Sequence, residues 1–244
     1  MTAAAFLASQ FAPTGVLRAS LNMGNPVLAH SRTATQKPAG VSIDLARELS
    51  RELGVPVQLL EFDTAAKSVQ ALAGGNADVG FMAIDPLRAN SIQFTAAYVQ
   101  IEGAYLVPEA SPIVANDEVD RPGITIVAGA GSAYALYLTR ALKHATMMQV
   151  PTSEAVVAAM VEGGQPVAAG VRQQLEADAR RIGGVRVLPG RFMVIHQAMA
   201  MPRDRSAEAH AYLAQFVERM KRNGMVAEGL KRHGIEGATV AALG

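Results

Sequence analysis

From Leu17 onward, short apolar runs alternate with stretches whose apolar residues recur at helical spacing. Residues 17–21 predict a strand, followed by the turn-rich Asn22-Met23-Gly24-Asn25-Pro26. Polar residues 30–39 read as a loop or hairpin. Ser42 then stands as the cap of a helix carrying Leu45, Leu49 and Leu53 four residues apart, with Gly54 as its stop. Residues 55–60 predict a second strand and 65–73 a helix ended by Gly74-Gly75-Asn76. Residues 78–83 are apolar almost throughout, as a buried parallel strand should be. Asp85-Pro86 predicts a helix start, with Asp as cap and Pro in the first position.

The same order recurs further on. Strands are expected at 124–128, 147–150 and 167–171, and helices at 133–143, from a Ser153 cap to 162, and at 172–180. Ser132 caps the first of these after the turn Gly129-Ala130-Gly131. Strand–helix thus repeats three times in each of two halves, which predicts two α/β lobes. Residues 94–108 and 192–201 are extended and apolar and make two crossings between lobes, a two-stranded hinge. Helices at 206–223 and 226–233 return to pack on one lobe.

Composition narrows the classes. Half of the 244 residues are apolar, enough for one large core or two modest ones, and this excludes disorder over most of the chain. Lys+Arg 22 against Asp+Glu 21 gives a net charge of +1, without the basic excess of a nucleic-acid binder. No apolar run reaches the roughly 18 residues of a membrane-spanning helix. Cysteine and tryptophan are absent, which removes disulfides, thiolate metal sites and a Cys nucleophile. His30, His144, His196, His210 and His233 lack metal-ligand spacing, so no metal or cofactor is expected. Methionines 147, 148, 193, 199 and 201 read as core filler. The start, MTAAAFLAS, has neither the basic residues nor the apolar length of a secretory signal.

Several segments together resemble the solute-binding proteins of ABC importers, amino-acid type. Gly40-Val41-Ser42-Ile43-Asp44-Leu45-Ala46 is similar to that family's G-[FY]-D-[ILV]-D-L-A, and Ala71 to Val79 to its A-L-x-x-G-x-x-D-[VA]. Ile84-Asp85-Pro86-Leu87-Arg88 followed by Phe94-Thr95-Ala96-Ala97-Tyr98 resembles I-T-x-x-R and F-[ST]-x-x-Y. Gly129-Ala130-Gly131-Ser132 resembles the G-x-G-[ST] turn of the second lobe. No single motif is specific, but their order and spacing run almost end to end. The resemblance implies a two-lobed type II periplasmic-binding-protein fold with a discontinuous first lobe, 1–101 plus 195–244, a second lobe 102–194, and a ligand in the cleft. It also implies a membrane-bound ABC permease as partner, with no nucleic acid, a monomer, and the periplasm as location. The missing signal leaves a cytoplasmic sensor as the alternative.

Arg88 is the most informative residue. It is expected in the first turn of a helix at the carboxyl end of a strand, where open α/β sheets bind ligands. There a cation opposes the helix dipole unless an anion is near, and a guanidinium fork fits a carboxylate. The resemblance assigns it the ligand's carboxylate; the alternative is a surface Arg paired with an acid. Gly131 and Ser132 open a helix whose backbone N–H groups suit an anion, and Ser132 can cap it as well. As a dinucleotide fingerprint the turn fails, because Tyr134 stands where a third Gly is needed. Asn22 and Asn25 are ligand contacts by resemblance or turn formers by residue type. Tyr98 and Glu102 lie at the first crossing, and Glu102 reads as hinge hydrogen-bonder, partner of a ligand cation or surface acid. His196, on an alternating strand, reads as structural.

The departures from the family pattern concern the ligand's ammonium. The Asp that holds it aligns with Val171, a carboxylate-gripping serine with Ala83, and a stacking aromatic falls near Ala65. Arg172 adds positive charge at the cleft or is an exposed first-turn residue. The function implied is capture of a small carboxylate that is not a standard amino acid, with no catalytic residue. The alternatives are a cyclohexadienyl-dehydratase-like enzyme on the same fold, with Glu102 or His196 as its acid, and the signal-less sensor. A LysR-type effector module lacks its helix-turn-helix here.

Overall fold

The computed structural model describes residues 3–30 and 37–244. These divide into two compact units, one of residues 1–100 with 196–244 and the other of residues 101–195.

In the first unit, β1 (Leu17–Asn22), β2 (Val57–Phe62) and β3 (Val79–Ala83) are parallel in the order β2-β1-β3. The 197–200 part of β9 (Met193–Pro202) adds to β3 antiparallel, with Phe81 opposite Met199. α2 (Val41–Leu53) and α3 (Ala65–Ala73) connect the three parallel strands. α3 is capped by the Thr64 side chain, which accepts from the Lys67 amide at 3.3 Å. Leu72, Met82, Ile92 and Ala200 form a buried cluster beneath it. Around α2 pack α1 (Ala3–Phe11) and α8 (Met225–Arg232), and α7 (Ala207–Arg222) packs on both α1 and α8. The buried Ala209, Leu213, Phe216, Val217 and Met220 mark the core stripe of α7.

Two expected caps do other work. Gly40, not Ser42, precedes α2, at φ 135°. A Cβ there would lie 2.3 Å from the Leu28 carbonyl oxygen, so both conformation and space require glycine. Ser42 sits inside the helix and its hydroxyl meets that of Tyr98 at 2.9 Å. Gly54 stops α2 in the left-handed conformation, as its position predicts. Residues 31–36 of the expected 30–39 loop lie outside the described residues; His30 and Ala39 at its ends form an antiparallel bridge.

The second unit repeats the winding. β5 (Thr125–Gly129), β6 (Thr146–Val150) and β7 (Val167–Val171) are parallel in the order β6-β5-β7. The 103–106 part of β4 (Ile92–Pro108) lies antiparallel to β7, and β8 (Val185–Val187) pairs with β4. α5 (Val156–Glu162) and α6 (Arg172–Ile182) close one face over Ala104, Leu106, Ala168 and Leu175. α4 (Ala133–Ala141) is shorter than its apolar pattern predicts. The Asp120 carboxylate takes the amides of Lys143, His144 and Ala145 at 2.8–2.9 Å and so ends the helix. Ser153 is not the cap of α5, which begins after Ala155; its hydroxyl accepts from Tyr134 at 2.8 Å. β10 (Thr239–Val240) pairs with the first-unit part of β4.

Asp78, at the amino end of β3, has a fully buried side chain. It accepts from the Arg18 backbone at 3.0 Å, from Arg18 Nε at 2.9 Å and Nη2 at 2.8 Å, and from Arg205 Nη2 at 3.1 Å. Removing one partner of such a buried pair strands the other charge in a poor solvent. Asp78→Ala is expected to lower the unfolding free energy by about 3–5 kcal/mol in urea titrations. A loss under about 1 kcal/mol, typical of an exposed pair, would contradict this account.

Candidate functional site

The order 2-1-3 places a switch of winding direction between β1 and β3, and again between β5 and β7. Such a switch leaves a crevice at the carboxyl ends of the two strands, where α/β sheets take ligands. In the first unit those ends lead into Asn22–Asn25 and Ala83–Arg88. In the second they lead into Gly131–Ser132 and Val171–Arg172. Topology alone therefore gathers eight of the ten sequence-predicted residues at two crevices, four to each unit.

The segment after β3 is not the expected helix. Asp85 Oδ1 accepts the Leu87 amide at 2.9 Å, an Asx turn, and a single 3₁₀ turn over Arg88–Asn90 leads into β4 at Ile92. The interval before the next strand is too short for an α-helix, so no helix dipole acts on Arg88 here. Burial takes its place. Arg88 is only 6% exposed and donates from Nη1 to the Ala83 carbonyl at 2.9 Å. Burial pulls its pKa from 12.5 down to about 10, while the charge of Asp85 acts in the opposite sense. The guanidinium stays charged at neutral pH, at a desolvation cost that a further anion would offset. Ala83 itself, 4% exposed, supplies backbone rather than side chain.

Asn22 Oδ1 accepts the Gly24 amide at 3.1 Å, so its side chain shapes the turn after β1. The Asn25 carbonyl accepts the amides of Leu28 and Ala29, and its side-chain Oδ1 is buried without a hydrogen-bond partner among the described residues. Tyr98 stands apart from the crevice residues. It is fully buried, its ring meets Phe81 edge-on at 6.3 Å, and burial raises its pKa. Its place is the first-unit core. His196 is exposed; its carbonyl accepts the Ile84 amide at 2.8 Å and its Nδ1 lies 3.3 Å from Gln100 Nε2.

In the second unit, Ser132 is 6% exposed and its Oγ accepts the Ala135 amide at 3.1 Å, the expected cap of α4. Gly131 before it has φ 67°, a left-handed conformation that favours glycine. Val171 is the last residue of β7 and offers no side-chain cap to α6. Arg172 follows and is held by three partners, one of them Glu176 Oε1 at 3.6 Å from its Nη1. Its Nε donates to Glu102 Oε2 at 2.9 Å, and its Nη2 to the Gly190 carbonyl. Arg191 Nη1 donates to the other oxygen, Glu102 Oε1, at 2.7 Å. Arg191 first, then Arg172, outweigh the burial of Glu102 and hold its carboxyl below the usual range. Of the three readings of Glu102, the structure shows a carboxylate clasped by two guanidiniums. Sequence reasoning missed Arg191: the pair joins residues 89 positions apart, and no motif carries it.

The family profile of the bacterial extracellular solute-binding proteins, family 3, matches residues 21–235. The chain belongs to that family. Solved structures agree on the fold. The binding component of an ABC transporter from Wolinella succinogenes, complexed with lysine, shares 20% identity over 90% of this chain and 95% of its own, at TM-score 0.76. The solute receptor for L-cysteine of Neisseria gonorrhoeae shares 18% over 94% of both chains, at 0.80. An ancestral amino-acid-binding protein, a precursor of cyclohexadienyl dehydratase, shares 19% over 92% of this chain and 97% of its own, at 0.77. No curated protein matches the chain by sequence. The fold is thus the type II periplasmic-binding-protein fold of this family, and the two windings of order 2-1-3 are its two α/β lobes.

Two outcomes follow for the second-unit residues. Ser132→Ala removes the cap of α4 and is expected to cost about 1 kcal/mol in denaturation. Glu102 has a folded pKa below its unfolded value near 4.3. Its contribution is therefore present above pH of about 4.3 and lost as pH falls through the folded value. Thermal melts across the acid range should show a shallower loss for Glu102→Gln than for the parent; parallel curves would mean the clasp adds nothing.

Proposed function

We propose that the protein captures a small carboxylate-bearing solute for delivery to an ABC importer, and that it prefers carboxylates without a free α-ammonium. Membership of an extracellular solute-binding family supports the first half, as do solved relatives described as ABC-transporter binding components. It also supports a location outside the cytoplasmic membrane. Arg88, buried at the first-unit switch point, is the carboxylate partner, because a guanidinium already out of water binds an anion without a further desolvation cost of its own. In the second unit, the first-turn amides of α4 behind Gly131 and Ser132 form an anion-binding turn of their own.

The observation that carries the second half is the state of the acids. Val171 ends β7 with an apolar side chain, and the nearby Glu102 carboxylate is spent on Arg172 and Arg191. An ammonium brought there meets guanidinium charge rather than a free carboxylate, and burying it unpaired costs several kcal/mol. Oxo, hydroxy, acylated or aromatic acids avoid that cost. The same clasp disfavours the enzyme reading: a carboxyl held ionised by two cations is a poor proton donor, and the ring of exposed His196 meets Gln100 rather than an acid among the described residues. Turnover of cyclic acids beyond one equivalent would restore it.

Arg88→Ala is expected to weaken carboxylate binding by about 2–5 kcal/mol in calorimetry, and Arg88→Lys to recover only part, because the planar fork is lost. Competition between amino acids and their 2-oxo or N-acyl counterparts should favour the latter. Tight binding of a common L-amino acid, abolished by Glu102→Gln or Asp85→Asn, would overturn the preference and name the ammonium's partner.

A further inference from the structure

One face of the second unit carries a side-chain group that the carboxylate site does not use. Along β4 the side chains alternate: Ala104 and Leu106 lie in the cluster under α5 and α6, so Gly103 and Tyr105 belong to the opposite face, with their β7 partners Val171 and Ala169. On that face the ring of Phe192 stacks on Tyr105, with centroids 4.3 Å apart and planes at 21°, and Tyr137 of α4 approaches Phe192 at 5.9 Å. The chain has only 5 Tyr and 7 Phe, so a quarter of its aromatic rings meet here.

The group reaches the carboxyl end of β7. The Phe192 amide donates to the Gly103 carbonyl at 3.0 Å, and Gly103 lies opposite Val171. A Cβ on Gly103 would stand 3.1 Å from Phe192 Cζ and 2.6 Å from Met193 Cγ, so the ring tip occupies the space a side chain would need. Phe192 is only partly buried, whereas Tyr105 beneath it is 4% exposed. The end of β7 is therefore walled by an aliphatic side chain and a ring tip, with a second ring fixing the first in place. The same helix that supplies Tyr137 begins at Ser132, so the wall and the anion turn share one face of one unit.

We propose that Phe192, steadied by Tyr105, is a specificity-determining residue, and that the ligand is a carboxylate bearing a flat unsaturated ring which packs against it. This rests on the carboxylate reading above. Aromatic rings prefer offset or edge-to-face neighbours over saturated groups of the same size, by a margin that an affinity ratio can read.

The test uses 3-phenylpropanoate and 3-cyclohexylpropanoate, which share carboxylate and chain length and lack an ammonium. The intact protein is expected to bind the phenyl compound about 3–10-fold more tightly. Phe192→Leu should bring the two to equal affinity while both still bind. Should that variant fail to fold by circular dichroism, Tyr137→Leu, which strips the outer ring, should reduce the preference at least twofold. Equal affinities in the parent, a preference for the cyclohexyl compound, or a preference unchanged in the variants would overturn the assignment. So would failure of both probes to bind. In that case, short 2-oxo acids that bind the parent and not Arg88→Ala would leave the carboxylate reading standing, and their failure too would remove both.

Discussion

The Asp78 carboxylate is the constraint on which the first unit turns. It is wholly out of water, and such a charge is tolerable only when every oxygen is met. Arg18 at the start of β1 and Arg205 just after β9 meet it from two directions, and the Arg18 backbone amide adds a third contact. The network thereby pins the amino ends of β1 and β3 side by side and anchors the returning chain beside them. With those ends fixed, the opposite ends of the same two strands deliver Asn22 and the Ala83–Arg88 turn to one place. The candidate binding residues at one end of a short strand are thus positioned by ion pairing at the other.

The second unit reaches the same winding by other means. Its closed face is aliphatic, from Ala104 to Leu175, and its α4–β6 connection is tied by Asp120 to three successive amides. Ion pairing appears instead beside the carboxyl end of β7, where Glu102 fixes Arg172 and Arg191. Charge holds the amino ends of parallel strands in one unit and the carboxyl end of a parallel strand in the other. The two halves of the chain therefore share topology without sharing sequence.

The parallel strands and most helices were legible because their apolar residues face a core with a regular period. β7 and α3 fall on the expected residues, and the other parallel strands shift by one or two. Legibility failed where a side chain had two possible jobs. Ser42 and Ser153 have the chemistry of caps, yet each is spent on a tyrosine hydroxyl, which only tertiary structure decides. Asp85-Pro86 has the signature of a helix start, but the chain must enter β4 within a few residues, and the signal yields to connection length. Among the candidate residues, the positions of Arg88, Ser132 and Val171 beyond or at strand ends were readable. The burial of Tyr98 was not readable, because an aromatic in an alternating strand carries no mark of the face it takes, and the Glu102 clasp was hidden because its partners are distant in sequence.

The discontinuity of the first unit also bears on its biosynthesis. Emerging from the ribosome in order, the chain completes residues 101–195 while β3 still lacks β9 and Asp78 still lacks Arg205. During that interval the first unit carries an unpaired strand edge and a carboxylate with half its clamp, both features that invite association with other chains. Vectorial synthesis therefore favours maturation of the internal unit first. Residues 196–244 then supply β9 to cover that edge and Arg205 as the second partner of Asp78.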